Sequence, residues 1–474
     1  MKPLRCSKIG ILFLSPPRFR SLGEGTENGT YQQRKEAEAT RLLSRFDFAE
    51  PVFPGVVYTR EDVLKAIRLF ESEDVDMVFA HFLSWSDDFA WIRFLRDMKP
   101  VPLLYAYITR EEPGFEDSLT EERFVEFLSA GGLVGTLEGS GSLTRVNRPM
   151  VKRIAGSIDS VMEETKVFAK AACLRSELSK VSFGLLPSYN EAMWSTYVDP
   201  YDLFMKVGPE LRFLTIASLE EEIEAIPVEE TQKAMERILD QYETYGEINR
   251  EKMFASVEAS IAMENVARKA GTELLVLNDI DQVLMRRIGL RPGFAPCPGT
   301  DDLMVVPEGD LGCGLACYIL QKISGNHVNF IEPFHVDKRN NTFAAGHAGP
   351  HDYTTLGGKT IISTDARFAG SGLKHAGAPF AWHLIGPGEK TMVHISQCGG
   401  RFKLACAVVD SLETTHFLAG YSHGLFRSRI PAEEFFLKLI QVGVTQHYGL
   451  ADGNWISHLR EVAGLLDFDF TEIR

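Results

Sequence analysis

The chain has 474 residues, a length that predicts two or three domains with sizeable hydrophobic cores. Hydrophobic residues make up 45% and charged residues 24%, average values for globular proteins that exclude disordered and collagen-like classes. The formal net charge of −15 argues against a general nucleic-acid binder, because phosphate binding requires clustered Lys and Arg.

Residues 1–165 are predicted to form an N-terminal α/β domain. Apolar runs at residues 9–14, 76–82 and 102–108 have the length of buried strands, and helical patterns occupy residues 31–45 and the stretch after Thr59. This alternation of strands and helices is typical of a doubly wound, Rossmann-like layer.

Residues 166–335 repeat the alternation and are predicted to form a central α/β domain. A long helical pattern at residues 150–172 leads into four predicted strands, at 181–186, 211–217, 273–277 and 303–306. Apolar residues at helical spacing predict helices at 228–245 and 250–270, and a further apolar helix begins at Leu311.

Residues 336–474 are predicted to form a C-terminal β-rich domain. Gly-rich turns separate short apolar runs at residues 359–363, 391–396 and 403–409. Two predicted helices, at 431–441 and 454–466, close this part of the chain.

Targeting signals and cysteines bear on where the protein works. The sequence has no run of about 18 apolar residues, and its first apolar run is too short for a secretory signal. The seven cysteines form an odd, scattered set, which is unlike a disulfide framework and fits a reducing compartment. We therefore expect a cytoplasmic protein with no membrane partner.

Acidic residues and histidines gather late in the chain. Eleven of the twelve histidines fall at or after His327. Glu308 and Asp310 stand in a turn between the predicted strand 303–306 and the helix from Leu311, where open α/β sheets bind ligands. Asp310 also has the position of a helix N-cap, whereas Glu308 stands outside the helix, so Glu308 is the stronger candidate for a functional role.

Three further residues are candidates for the same site. Glu332 is flanked by large apolar residues on a predicted strand, and a buried charge is costly unless it is paired or bound to a cation. His347 stands in a predicted turn of small residues, and His423 stands between two glycines. Salt bridges and structural hydrogen bonds are the alternative explanation for each residue taken singly.

Glu308, Glu332, His347 and His423 would form a mixed oxygen and nitrogen ligand set. Such a set suits Mn²⁺, with Co²⁺ and Mg²⁺ as alternatives. Four protein ligands would leave two positions for adjacent carbonyl and hydroxyl oxygens of a sugar, and the metal would then polarise the carbonyl and stabilise an enediolate. Glu308 and Glu332 are the predicted acid/base pair, with the division of roles open.

These elements resemble those of the L-arabinose isomerase and L-fucose isomerase family. In that family a Glu-Gly-Asp or Glu-x-Asp turn opens an apolar helix, and a second carboxylate follows in an apolar strand. Here the turn is 308–310, and Glu332 follows Glu308 by 24 positions. The family's Gly-Ala-His element is matched at 345–347 and its late Ala-Gly-x-x-His element at 419–423, whereas residues 15–19 depart from its Gln and Leu-Tyr-Gly pattern.

The resemblance covers roughly residues 300–450 and implies a fold and an assembly. It implies an α/β protein with two Rossmann-like doubly wound domains followed by a C-terminal β-barrel domain. It also implies a manganese requirement and a homotrimer or homohexamer in which neighbouring subunits complete each active site. In the family, the glutamates that match Glu308 and Glu332 bind the metal and act as the acid/base pair.

Six further residues are candidate substrate contacts: His447, His351, Arg18, His81, Asn190 and Trp194. His447 also competes with His423 as the C-terminal metal ligand. His351 follows His347 by four positions. The other four follow or end predicted strands of the two α/β domains, where a substrate, including that of a neighbouring subunit, could meet them.

The sequence therefore predicts a metal-dependent aldose–ketose isomerase that works through an enediol. L-Arabinose to L-ribulose is the first predicted reaction and D-galactose to D-tagatose the second, with another pentose or deoxyhexose such as L-fucose as the alternative. A non-catalytic sugar-binding or sensing protein is a rival class, and so is a hydrolase whose metal activates water.

Overall fold

The computed structural model describes residues 3–21, 25–26, 29–86, 88–110, 130–295, 297, 303–350 and 359–474. The chain divides into two compact units, one formed by Arg5–Ser176 and the other by Glu177–Arg474 together with Met1–Leu4. The division into domains at residues 165 and 335 stays a prediction.

The first unit contains a five-stranded, wholly parallel sheet in the order β4-β1-β5-β6-β7. Its strands, with the short pair β2 and β3, are β1 (Lys8–Leu14), β2 (Gly25–Thr26), β3 (Gly29–Thr30), β4 (Glu50–Val52), β5 (Met77–Phe82), β6 (Leu103–Ile108) and β7 (Val151–Gly156). Its helices are α1 (Arg18–Ser21), α2 (Tyr31–Leu43), α3 (Arg60–Ser72), α4 (Asp88–Asp97), α5 (Gly132–Val146) and α6 (Ile158–Leu178).

Local chemistry explains these elements. All six residues of β5 are buried, which is typical of a parallel strand covered on both faces. Thr59 caps α3 by accepting from the backbone N–H of Asp62, and the Asp62 side chain accepts in return from the Thr59 N–H. This reciprocal capping box satisfies two backbone donors that the first helical turn would otherwise leave free.

The second unit begins with another parallel sheet, of four strands in the order β12-β11-β8-β9. These strands are β8 (Ser182–Leu186), β9 (Glu210–Phe213), β11 (Leu274–Leu277) and β12 (Met304–Val306). The helices of this part are α7 (Pro200–Asp202), α8 (Ile216–Ala225), α9 (Val228–Gln241), α10 (Arg250–Lys269), α11 (Gln282–Ile288) and α12 (Leu311–Ser324), with a 3₁₀ turn at Trp194–Thr196 and a π turn at Leu203–Val207.

A closed six-stranded barrel forms the C-terminal region. Its antiparallel strands follow the order β17-β20-β13-β14-β19-β18, and β18 pairs back to β17 to close the ring. The barrel strands are β13 (Val328–Asp337), β14 (Thr342–His347), β17 (Gly388–Cys398), β18 (Arg401–Leu412), β19 (Ser422–Ser428) and β20 (Tyr448–Asp452). Strand β21 (Asp469–Glu472) adds to β18, and helices α13 (Ala432–Val442) and α14 (Ile456–Leu465) follow in sequence.

A small three-stranded sheet completes the second unit. It consists of β10 (Glu243–Tyr245), β15 (Thr360–Thr364) and β16 (Pro379–His383), with β15 in the middle. The predicted combination of α/β sheets with a C-terminal β-barrel is thus confirmed at the level of sheet type and closure. In the part of the chain described here, no helix has both the length and the apolar character needed to cross a membrane.

Three predicted segments need correction. The helix predicted over residues 228–245 ends at Gln241, because Glu243–Tyr245 pairs with β15 as a strand. The helix predicted over residues 150–172 begins as a strand, because Val151–Gly156 pairs with β6 at the edge of the sheet, and such pairing overrides helical spacing. The strand predicted over 211–217 stops at Phe213, because Thr215 accepts from the backbone N–H of Ser218 and thereby caps a helix.

Candidate metal centre

The C-terminal edge of the four-stranded sheet carries the first part of the site. Strand β12 ends just before the turn that holds Glu308, and the neighbouring β11 ends just before Asp279. The backbone N–H of Glu308 donates to Oδ1 of Asp279 at 2.8 Å, and the N–H of Gly309 donates to the carbonyl oxygen of Leu277 at 3.0 Å. These two bonds attach the Glu308 turn to the neighbouring strand.

The backbone of this turn is unusual. Glu308 has a φ of 61°, in the left-handed region that costs a non-glycine residue about 1–3 kcal/mol. Gly309 follows with a φ of 69°, and a Cβ at that position would lie 2.9 Å from the backbone nitrogen of Asn190. The surrounding structure therefore holds Glu308 in a strained conformation, which is a feature that clusters at functional sites.

Two histidines of the barrel region meet this glutamate. The potential ligand atoms of Glu308, His347 and His447 all lie within 4.8 Å of one another, and all three residues are buried. Nε2 of His347 lies 3.6 Å from Oε1 of Glu308, and Nε2 of His447 lies 3.5 Å from Oε2. One carboxylate and two imidazoles are donors that first-row divalent cations accept, so this group could hold a metal ion.

Barrel strands position both imidazoles. His347 is the last residue of β14 rather than part of a turn, and His447 immediately precedes β20. The ring of Phe330, on β13, lies against both, with centroid distances of 4.9 Å to His347 and 4.6 Å to His447. Because β13 pairs with both β14 and β20, the barrel brings together two histidines that lie a hundred positions apart in the chain.

His447 is held by bonds on two sides. Its Nδ1 lies 2.9 Å from Oδ2 of Asp310, while Oδ1 of Asp310 accepts from the backbone N–H of Cys313 as the N-cap of α12. Its carbonyl oxygen accepts from Nδ1 of His394 at 2.8 Å. A carboxylate on Nδ1 fixes the tautomer and leaves Nε2 for a metal, as in carboxylate–histidine–metal arrangements.

The charges in this group shift one another's protonation. Burial by itself would raise the pKa of Glu308, but the neighbouring imidazole of His447 and the positive charges of His347, His447 and Arg367 lower it to about 2. Burial by itself would lower the pKa of His447, but its hydrogen bond to Asp310 and the nearby carboxylate of Glu308 raise it to about 9. The glutamate is therefore ionised at neutral pH, and His447 carries a proton there that a metal ion would displace.

A second, deeper network supports the turn. Arg291 is buried and its Nη1 lies 3.5 Å from Oδ2 of Asp279, while its Nε donates to Oδ2 of Asp365 at 2.9 Å. The same Nη1 donates to the carbonyl oxygen of Ala348, the residue after His347. Burial raises the pKa of Asp279 to about 6, with Arg291 opposing that shift. Arg291 thus connects Asp279, which binds the backbone of Glu308, to the carbonyl group that follows His347.

Glu332 lies near this group without belonging to the three-residue set. It is partly buried on β13, and its Oε1 accepts from the hydroxyl of Tyr421 at 2.5 Å. The Tyr421 ring lies 6.5 Å from that of His347, between centroids, and burial followed by the bond to Glu332 raises the pKa of Tyr421. Tyr421 therefore holds the second predicted glutamate beside the candidate metal group.

His423 has a different environment from the one predicted for a metal ligand. Its Nδ1 lies 2.6 Å from the carbonyl oxygen of Tyr421, and its Nε2 accepts from the backbone N–H of Phe417 at 3.2 Å. The ring stacks near Trp382 at 6.2 Å. Both ring nitrogens are thus engaged by the backbone, and His447 stands in the three-residue group where His423 was predicted.

The other predicted contacts are spread over both units. Asn190 is buried beside Gly309 and its Nδ2 has no hydrogen-bond partner among the described residues, whereas Trp194 is 77% exposed. In the first unit, the guanidinium of Arg18 lies 4.3 Å from the ring centroid of Trp85, and His81 is buried with Nδ1 3.0 Å from the carbonyl oxygen of Ala106. His351 lies outside the described residues.

Sequence reasoning missed four residues of the site: Asp279, Arg291, Arg367 and Tyr421. Asp279 could have been found, because it follows the predicted strand 273–277 just as Glu308 follows the strand 303–306. The two arginines stand in segments whose local pattern carries no such signal, and Tyr421 stands inside the element at 419–423, where His423 was the predicted ligand.

Comparison of the chain with protein-family models gives no match, and comparison with curated proteins gives none either. Function is therefore inferred from the residues of the chain itself.

Proposed function

We propose that this protein is a metal-dependent aldose–ketose isomerase. The observation that supports it best is the buried group of Glu308, His347 and His447, with ligand atoms within 4.8 Å of one another. Glu332 would be the fourth ligand, held nearby by Tyr421. This assignment replaces His423 by His447 in the ligand set and keeps the other three residues.

The oxygen and nitrogen donors of this set favour Mn²⁺, with Co²⁺ and Mg²⁺ as alternatives. A bound divalent cation would polarise the sugar carbonyl and stabilise the negative charge that develops on adjacent oxygens. Asp310 keeps Nε2 of His447 available for the cation by occupying Nδ1.

The proton transfer is assigned to a glutamate. Isomerisation takes a proton from C2 of the aldose and returns it to C1, which one carboxylate can carry, while the proton of the O2 hydroxyl moves to O1. Both oxygens of Glu308 face cationic or imidazole groups, whereas one oxygen of Glu332 accepts from Tyr421 and the other makes no hydrogen bond or ion pair with the described residues. We therefore assign the proton transfer to Glu332. Glu308 is assigned the role of a metal ligand whose negative charge partly neutralises the cation.

The finer parts of the proposal concern fold, assembly and substrate. The two parallel sheets would belong to Rossmann-like domains, and the protein would act in the cytoplasm as a trimer or hexamer with sites completed by neighbouring subunits. L-Arabinose is the first proposed substrate, followed by D-galactose and L-fucose.

The experiment starts from protein treated with a chelator and then dialysed. We would incubate it with L-arabinose, D-galactose and L-fucose, add Mn²⁺, and follow ketose formation by NMR. Conversion that requires Mn²⁺ is expected for at least one aldose. Binding of a sugar without conversion would instead indicate a non-catalytic sugar-binding or sensing protein.

Matched variants assign the roles. Glu308→Gln should lower Mn²⁺ affinity and turnover together, while Glu332→Gln should lower turnover by about 10²–10⁴-fold. Glu389→Gln is the control, because Glu389 is an exposed glutamate on the same barrel that pairs with Arg429. Turnover by Glu332→Gln at the parent rate would contradict the proposed proton transfer.

A further inference from the structure

An arginine stands beside the candidate metal ligand Glu308. Nη1 of Arg367 lies 3.4 Å from Oε1 of Glu308, and the side chain is 50% exposed. Oε1 is also the oxygen that faces His347, whereas His447 faces Oε2. The guanidinium is therefore next to the proposed metal position and in contact with solvent at the same time.

The buried carboxylate of Asp365 holds the backbone of Arg367 in place. The N–H of Arg367 donates to Oδ1 of Asp365 at 3.2 Å, and Oδ2 of Asp365 accepts from the buried Arg291. Arg291 also bonds the carbonyl oxygen of Ala348, next to His347. The turn that carries Arg367 is thus connected to the same framework that holds the candidate metal ligands, as expected for a residue that must be positioned accurately.

The guanidinium of Arg367 would lose the negative charge opposite it if a cation bound to Glu308. Among the described residues, Glu308 is the one side chain that accepts from its guanidinium. A divalent cation on Glu308 would neutralise that carboxylate, and the guanidinium would keep a full charge and several N–H donors. An oxygen of a bound molecule beside Glu308 would satisfy those donors.

We propose that Arg367 is a further substrate-binding residue, which donates hydrogen bonds to a sugar oxygen next to the pair of oxygens at the metal. This inference rests on the proposed function, because it takes the ligand to be an aldose. The charged guanidinium of Arg367 donates to the bound sugar, and this hydrogen bond strengthens further when negative charge develops on the enediolate oxygens, since charge-assisted hydrogen bonds are stronger than neutral ones. Replacement by a neutral side chain therefore weakens sugar binding without removing any metal ligand.

The test compares Arg367→Gln and Arg367→Lys with the parent. Arg427→Gln is the control, because Arg427 is an exposed arginine of the same barrel, on β19. We would measure the Kd of Mn²⁺ alone by titration of the chelator-treated protein. We would then measure the Kd of the aldose that binds the Mn²⁺-loaded parent most tightly, chosen from L-arabinose, D-galactose and L-fucose, together with kcat and KM.

The expected result is a sugar Kd that rises about 10- to 100-fold in Arg367→Gln, the effect of losing a charged hydrogen bond. The Kd of Mn²⁺ should stay within about threefold of the parent value or become tighter, because a cation next to Glu308 has been removed. Arg367→Lys should recover part of the sugar affinity, and Arg427→Gln should match the parent.

Two results would overturn the inference. Tighter Mn²⁺ binding with unchanged sugar Kd and KM would make Arg367 only a counter-charge for Glu308. A parent protein that binds none of the aldoses would remove both this inference and the isomerase. Sugar that is bound through Arg367 but never converted to ketose would contradict the isomerase alone.

Discussion

The carboxylate of Asp310 joins a helix to a histidine: Oδ1 caps α12 through the Cys313 N–H, and Oδ2 lies 2.9 Å from Nδ1 of His447. One side chain therefore connects the end of the parallel sheet to the barrel at the point where the candidate metal ligands meet. One oxygen of Asp310 caps the helix and the other contacts His447, so a substitution that keeps the cap removes only the contact with His447.

Asp310→Ser should lower Mn²⁺ affinity about 10- to 100-fold while keeping the cap of α12, so the loss of stability should be limited to that of the bond to His447. Serine is as good an N-cap as aspartate, but its side chain is too short to hold His447. Metal titration and thermal denaturation would measure the two effects. Asp281→Ser is the control, because Asp281 likewise caps a helix, α11, through the Leu284 N–H and is not one of the three residues of the metal group. Equal metal affinity in both variants would refute the orienting role.

His447→Gln and His423→Gln form a matched pair that decides the C-terminal ligand. We expect His447→Gln to lose Mn²⁺ affinity by at least about 100-fold, since a ligand nitrogen is removed. His423→Gln should keep the parent affinity and instead lower the melting temperature, because it breaks backbone bonds at Phe417 and Tyr421. Electron paramagnetic resonance of free Mn²⁺ measures both affinities, and the reverse order would restore His423 as the ligand.

Metal binding should release about one proton at pH 7. The pKa of His447 is raised to about 9 in the metal-free protein, so this imidazole is protonated at neutral pH and must lose its proton to bind a cation. Calorimetric titrations in two buffers with different ionisation enthalpies give the proton count. His447→Gln should release fewer protons, and an equal heat in both buffers for the parent protein would contradict the shifted pKa.

The stability of the metal-free protein should fall as the pH rises from 7 to 10. The folded pKa of His447, about 9, lies above its ordinary value of 6.5, so its contribution is complete below pH 6.5 and disappears as the pH passes 9. The lowered pKa of Glu308, about 2, acts at the other end, where its contribution disappears as the pH falls from 4.5 through 2. His447 and Glu308 interact with each other, so we expect one loss of stability at alkaline pH and one at acidic pH.

Urea denaturation in the presence of a chelator would measure the free energy of unfolding across this range. His447→Gln should flatten the alkaline part of the curve and serves as the reference. A parent curve that is equally flat between pH 7 and 10 would show that the interaction of His447 with Asp310 and Glu308 contributes nothing to folding.

Tyr421→Phe should lower kcat about tenfold, because Glu332 loses the hydroxyl that holds its Oε1. The control is Tyr318→Phe, since the hydroxyl of Tyr318, which is a buried residue, also donates to a glutamate, Glu273, at 2.8 Å. Steady-state kinetics at saturating Mn²⁺ would compare the two variants. Equal losses would mean that Tyr421 supports the fold rather than Glu332.

Much of the fold was readable from the sequence because strands and helices have local signatures. The apolar runs that became β1, β5, β6, β8 and β11 agree with the predictions to within a residue or two at each end. The position of Glu308 at the end of a strand could also be predicted. The strand before it, Met304–Val306, and the helix after it, Leu311–Ser324, can each be recognised from their own residues. Val151–Gly156 was missed because its strand character comes from pairing with β6, not from its own pattern.

The candidate site divides in the same way. The sequence by itself determined which chemical groups stand at strand ends, because a run of apolar residues and the acid that follows it are neighbours in the chain. Only the tertiary structure decided that His447 rather than His423 meets Glu308 and His347. A histidine is a ligand only if a ring nitrogen is free of backbone bonds and reaches the other donors. Both conditions depend on how β13 pairs with β14 and with β20, which lies more than a hundred positions further along the chain.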